Sequence, residues 1–313
     1  MNPYSTPPTD GHASPEATQQ AVDEFTNAFL TRYPLHCELR EQPLGQSHLH
    51  AHDGYELYFC LKGTGIFLAG DRMYPMAPGT LTLVKPRVLH MPRPAGGEPF
   101  HRYVLSLGEP LADGLQAHTA GFAEAAARLW GGPEASCAHW HLPPALLLEV
   151  RSLLASLERE TGQRLPLFGL AVEHLLTGLF LVLARAELQP ASPGPLSDRE
   201  LAGQVIELLT RRYRDETLEV GELCRSFPLS RSRMFALFKR TTGYTMNGFL
   251  TAYRLHQAKE LLRHTGLPVT AIAGESGFGD MSHFYHTFKK HTGLTPKAYR
   301  LEQQGKACSR AIE

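Results

Sequence analysis

The sequence predicts an α+β chain of two domains: an antiparallel β half, then an all-α half built from a tandem helix-turn-helix. Three observations carry this. Residues 35–107 read as short strands at regular spacing with glycine turns. A helical pattern over 266–300 recurs at 217–245, and an internal repeat is more specific than either copy alone. Between the halves, residues 190–197 (PASPGPLS) hold three prolines and a glycine without apolar periodicity, the composition of a linker.

In the β half, Glu56–Lys62 and Thr64–Ala69 flank Gly63. Gly70-Asp71 makes a turn before Arg72–Met76, and Gly79 precedes Thr80–Lys85. This pattern indicates an antiparallel sandwich or barrel over 25–112. Of its aromatic residues Tyr55, Tyr58, Phe59, Phe67 and Tyr74, strand alternation sends only some inward. From 113 to 189 the period becomes helical. Phe122–Trp130 is alanine-rich, and Pro143–Glu160 places Leu146, Val150, Leu153 and Leu157 along one seam. Leu165–Leu188 is apolar, but Glu173, His174 and Arg185 interrupt it, so no membrane partner is expected. These helices serve either as a dimerisation hairpin or as a cover for the β half.

The formal net charge is zero, with 31 basic and 31 acidic side chains. The balance is uneven. From Leu196 onward there are 18 Lys+Arg against 12 Asp+Glu, a net +6, which leaves −6 for the rest. A basic C-terminal domain fits a nucleic-acid partner. Five widely spaced cysteines without a CxxC argue against a disulfide framework or zinc ribbon and for a reducing, cytoplasmic setting. Residues 1–24, rich in Pro, Thr, Ser and Gln, read as a disordered leader with no secretory signal.

The helical half runs over 198–302. In the second repeat a helix over Val269–Ser276 turns Ile272 and Ala273 inward, and Gly277 ends it. Asp280 caps the next helix, whose inward face is Phe284 and Phe288. The first repeat matches it: Leu223-Cys224 with Ile272-Ala273, Ser230 with Asp280, Met234 with Phe284, Phe238-Lys239 with Phe288-Lys289 and Gly243 with Gly293. A long helix, Met246–His264 capped by Thr245, joins them, its buried stripe being Phe249, Leu250, Tyr253, Leu261 and Leu262. In a helix-turn-helix the second helix enters the DNA major groove. The outward residues there are base-reading candidates: Arg231, Ser232, Phe235 and Ala236 in the first unit; Met281, Ser282, Tyr285 and His286 in the second. Lys239, Arg240, Arg254, Lys289 and Lys290 are candidates for phosphate contact.

The run IA-GES-GFGD-x-SHF-xxx-FKKHTG-x-TP-xx-YR resembles the signature of the AraC/XylS family of bacterial transcription regulators. The first unit departs from it at Cys224, where alanine is usual, and at Pro228, where the turn is usually glycine. In the β half, His50-Ala51-His52, Glu56 and Gly63, with Gly79, Pro86 and His90 further on, resemble the cupin pattern. The resemblance implies a cupin-like barrel as effector domain, a helical dimerisation hairpin and two recognition helices in successive major grooves. It implies a homodimer that binds double-stranded promoter DNA, a small-molecule effector (often a sugar) and RNA polymerase, in most cases as an activator. His50, His52, Glu56 and His90 are the effector-binding candidates, and no cofactor is expected. In metal-binding cupins these four positions hold a divalent metal, which stays open as an alternative. The chain is read as no enzyme. The rivals are a metal-dependent cupin enzyme fused to a DNA-binding domain, and a regulator controlled by protein contact or thiol oxidation with an empty barrel.

Overall fold

Two antiparallel sheets form the N-terminal half of the computed structural model, which describes residues 26, 27, 30, 34–42, 48–95, 99–118, 129, 136–186, 198–227 and 229–310. The strands are β1 (Leu35–Arg40), β2 (Gly54–Lys62), β3 (Gly65–Ala69), β4 (Arg72–Met76), β5 (Thr80–Val84), β6 (His90–Pro94), β7 (His101–Gly108) and β8 (Cys137–His141). Their orders are β1-β7-β2-β5-β8 and β4-β3-β6. Successive side chains on a strand face opposite ways, and β2 shows the consequence. Tyr58 and Cys60 join Phe67, Val84 and Val104 in the layer between the sheets. Leu57 and Phe59 turn to the other face, under the helices.

One boundary moves. Strand β8, expected in the helical region, pairs with β5 from Thr80↔His141 to Val84↔Cys137. The sheet therefore recruits chain beyond 112. After α1 (Glu109–His118), helices α2 (Pro144–Gln163) and α3 (Phe168–Arg185) pack on the larger sheet. Glu158 ties α2 down by accepting from the Leu39 amide at 2.8 Å. The deepest residues of α2 are Val150, Leu154 and Leu157, so Leu154 takes the place expected of Leu153. Helix α3 is long and apolar enough to cross a membrane, yet Leu176, Leu179, Phe180 and Leu183 are buried in the protein's own core. The leader, most of the expected helix Phe122–Trp130 and the linker lie outside the described residues.

The C-terminal half is helical: α4 (Asp198–Arg211), α5 (Val220–Leu223) with a 3-10 turn at Cys224–Ser226, α6 (Arg231–Thr242), α7 (Met246–His264), α8 (Val269–Glu275), α9 (Met281–Thr292) and α10 (Pro296–Arg310). The repeat is structural as well as sequential. Ser230 accepts from the Arg233 amide at 3.4 Å and Asp280 from the His283 amide at 2.5 Å. Gly243 and Gly293 end α6 and α9 at φ 84 and 75. Thr245 caps α7 through the Gly248 amide at 3.0 Å. The units differ at the turn. Helix α5 makes a single α turn before tightening into 3-10 where α8 continues for seven residues, and Pro228 lies outside the described residues.

The two halves share a core. Leu49, Ala51, Ile66, Leu68, Leu89 and Met91 of the β half are buried with Leu201, Val205, Met234, Phe238 and Phe249. The Leu49 amide donates to the Tyr244 hydroxyl at 2.8 Å. The second helix-turn-helix unit has a core of its own around Ile272, Phe284, Phe288 and Tyr299.

Candidate DNA-reading faces and effector site

Helices α6 and α9 bury the same positions of their repeat: Met234, Leu237 and Phe238 in one, Phe284, Thr287 and Phe288 in the other. The opposite faces are solvent-facing. Ser232, Ala236 and Lys239 are exposed on α6, and Ser282, His286 and Lys289 occupy the equivalent places on α9. Tyr285 is 39% exposed, and Lys290 is exposed at the margin. Phe235 and Met281 are half-buried and belong partly to their cores. The Arg231 guanidinium lies 5.6 Å from the Phe235 ring centroid and leans over Gly221. Arg240 is exposed and pairs with Asp198 at 2.5 Å.

Arg254 requires a correction. It was expected to reach a phosphate, but its Nε donates to the Tyr213 carbonyl and an Nη to the Asp215 carbonyl, both at 2.7 Å. Its fork is used inside the domain, closing the end of the α4 segment onto α7. An arginine on a helix surface reads the same in sequence whether its partner is a phosphate or a distant carbonyl.

The other candidates meet in the β half, where His50, His52, Glu56 and His90 are all buried. Ring centroids of His50 and His90 are 4.3 Å apart, and those of His52 and His90 5.0 Å. Strand β2 supplies Glu56, and β6 begins at His90. His50 is held against His90 by reciprocal backbone hydrogen bonds at 3.0 and 2.8 Å. Each imidazole presents Nδ1 to a backbone carbonyl: His48 at 3.2 Å, Gly54 at 3.0 Å and Val88 at 2.8 Å respectively. A carbonyl only accepts, so every Nδ1 carries its proton and every Nε2 is left to face the cluster. Nε2 of His90 is 3.1 Å from one Glu56 oxygen, and Nε2 of His52 is 3.7 Å from the other. Two acceptors at 3.1 Å repel unless a cation, either a proton or a metal ion, lies between them.

Electrostatics agree with that requirement. Burial opposes ionisation of Glu56, but the neighbouring His52 and His90 rings outweigh it and hold the carboxyl well below its usual range. Burial pushes the His50 imidazole down to about 3, leaving it a neutral base. Ligand atoms of His50, Glu56 and His90 lie within 4.8 Å of one another. Imidazoles steered by second-sphere carbonyls, with a carboxylate, are a donor set that fits a divalent transition metal.

Sequence reasoning missed the neighbours of this cluster. Arg40 lies within electrostatic range of Glu56. His256 and Lys259 of α7 are buried at 3% and 2% exposure, with His90 in electrostatic range of His256. Their spacing, with Glu260 and Arg263, is i, i+3, i+4, i+7, a polar stripe that could have flagged a second buried face.

Paired recognition helices on a rigid spacer, joined to a β domain with a buried polar cluster, define a ligand-responsive DNA-binding protein. Comparisons with known proteins agree. The model of an AraC-like ligand-binding domain matches residues 39–180, and that of a helix-turn-helix domain matches residues 223–302. The chain belongs to the AraC family of transcription regulators. The HTH-type transcriptional activator RhaR of Cronobacter sakazakii is 26% identical over 253 residues, 81% of this chain and 86% of that one. RhaR of Shigella flexneri is 27% identical over 253 residues, 80% and 86% of the two chains. Among solved structures, ToxT of Vibrio cholerae aligns over 86% of this chain and 98% of its own at 12% identity and a TM-score of 0.37.

Proposed function

We propose that this chain is a cytoplasmic, effector-responsive transcription activator that binds promoter DNA through α6 and α9. Its effector site is the His50, His52, Glu56 and His90 cluster, occupied by a divalent metal ion that anchors a small oxygen-rich molecule of the sugar class. His50, Glu56 and His90 would hold the ion, with His52 beside it. A bound ion would supply a Lewis-acidic anchor for effector oxygens. One observation carries this reading: the His90 and Glu56 acceptors face each other at 3.1 Å while the Val88 carbonyl occupies His90 Nδ1.

Naming the relatives activators supports the positive sign of regulation and, with it, RNA polymerase as a partner. A homodimer is the natural assembly. Leu148, Leu167 and Leu170 of the hairpin are 75%, 76% and 62% exposed, a large apolar area for one monomer to leave in water.

The experiment is metal analysis of the purified full chain together with His52→Ala. One equivalent of metal in the wild type, reduced in the variant along with effector response, supports the metal-anchored site. A metal-free wild type whose response is lost in His52→Ala supports the second reading, in which a proton replaces the metal and the effector is held by hydrogen bonds alone. A variant that keeps its response, from a wild type without metal, removes the cluster from effector binding.

A further inference from the structure

We propose that Arg263, in the last turn of α7, is the positioning residue through which the β half sets the orientation of the second reading helix, α9. This rests on α6 and α9 reading DNA, and not on what the barrel cluster holds. The two helix-turn-helix units meet the β half in different ways. The first is merged with it: Leu49, Ile66, Leu68 and Met91 lie in one core with Met234 and Phe238 of α6. Apolar burial of this kind is strong and has no preferred direction. The hydrogen bond from the Leu49 amide to the Tyr244 hydroxyl pins the turn that follows α6. Arg93 of β6 closes the same junction, its guanidinium packed so tightly on Gly243 that no Cβ would fit there. The second unit stands apart. Its core, around Ile272, Phe284, Phe288 and Tyr299, includes no residue of the β half.

Charged groups at the C-terminal end of α7 bring the β half to this second unit. Arg263 Nη1 donates to the Asp53 carboxylate at 3.3 Å, and its Nε donates to the Tyr299 hydroxyl at 3.0 Å. One planar guanidinium therefore holds a side chain of each half at a fixed angle. The Arg263 side chain is 10% exposed, so water and salt screen the pair less than they would on an open surface. Beyond it, the Tyr299 ring meets Phe288 edge-on at 5.5 Å, and Phe288 is a buried residue of α9 itself. The path from the β half to the reading helix is thus Asp53, Arg263, Tyr299 and Phe288.

Asp53 stands between His52 of the cluster and the start of β2, so its position follows that of the cluster strand. The second cluster segment reaches the same end of α7. Arg87, in the turn before His90, approaches Glu260 at 3.9 Å, and Glu260 lies 3.6 Å from Arg263. Glu260 also keeps the Arg263 guanidinium paired when the Asp53 carboxylate is removed. The Asp53 amide has its own bond to the Asn27 side chain at 2.6 Å, which such a change leaves in place. Removing that carboxylate therefore perturbs the strap and not the fold. Hydrogen bonds to base edges weaken steeply with distance and angle, so a small rotation of α9 costs base discrimination before it costs general DNA affinity. The first unit, held by apolar burial, does not share this sensitivity.

The test uses the full chain and a DNA duplex selected by the wild type from a random pool. Fluorescence anisotropy gives the affinity for that duplex and for two derivatives, each with one of the two groove segments scrambled. His286→Ala identifies the segment read by α9, because the penalty for scrambling should fall there and not at the other. In the wild type, scrambling either segment should weaken binding by about fivefold or more. Asp53→Ala should cut the penalty at the α9 segment to less than about twofold and leave the α6 segment unchanged. Asp53→Glu, which returns the carboxylate, should restore it. Tyr299→Phe keeps the ring, removes the hydroxyl and should act as Asp53→Ala does. The double variant should lose no more than either single one, because both act through one guanidinium. An undiminished penalty in Asp53→Ala overturns the proposal. So does an equal fall at both segments, the mark of a general loss of structure, or a failure of Asp53→Glu to restore discrimination. A wild type indifferent to scrambling overturns the assignment of the reading faces, and the proposal with it.

Discussion

Replacing Gly277 by alanine should destabilise the DNA-binding half far more than the same change at Gly293. Both glycines have positive φ, 82 and 75, so each alanine takes on the left-handed penalty of about 1–2 kcal/mol. There the likeness ends. A Cβ at 293 meets nothing within 4 Å, whereas one at 277 falls on the Tyr213 carbonyl oxygen and lies 2.8 Å from Arg254 Nε. That carbonyl accepts from Arg254 at 2.7 Å and cannot move aside without giving up a charge-assisted bond of about 1.5–3 kcal/mol. The expected losses are therefore on the order of 3–5 kcal/mol for Gly277→Ala and 1–2 for Gly293→Ala. The first is a large fraction of an ordinary domain's stability, about 5–15 kcal/mol. Urea unfolding should be followed by far-ultraviolet circular dichroism, because both tryptophans, Trp130 and Trp140, lie in the N-terminal half and report the wrong region. Equal midpoints for the two variants would refute the reasoning, since the close approach of Tyr213 would then carry no weight.

Arg254→Ala should reduce stability by about 2–3 kcal/mol through its two carbonyl partners and leave the salt dependence of DNA binding unchanged. A salt slope shallower by about one unit at normal stability would instead return it to the phosphate contacts. His286→Ala should alter base preference within one half-site at about 1–3 kcal/mol, while Lys290→Ala weakens all sequences alike. Selection from random duplexes with each variant checks this, and uniform weakening by both would mean that the second reading face is misassigned.

Most of the helical half was legible in the sequence because its determinants are local. Apolar residues at helical spacing, caps at Ser230, Asp280 and Thr245, and glycines at Gly243, Gly277 and Gly293 act within a few residues of themselves. Chain order alone therefore determined two helix-turn-helix units, the helix between them and their exposed faces. The strands β2 to β5 were legible for the same reason, and the pattern of His50, His52, Glu56 and His90 was visible as a spacing. Tertiary structure alone decided the rest. His50 and His90 become a reciprocal backbone pair only because two strand ends meet, which no local rule specifies. Strand β8 joins the sheet from beyond a helix, Arg254 turns inward to carbonyls about forty residues away in sequence, and His256 and Lys259 of α7 are buried. In each case the side chain's role depends on a partner remote in the chain. Periodicity records which face of an element is apolar, but it carries no information about which distant polar group that element will meet.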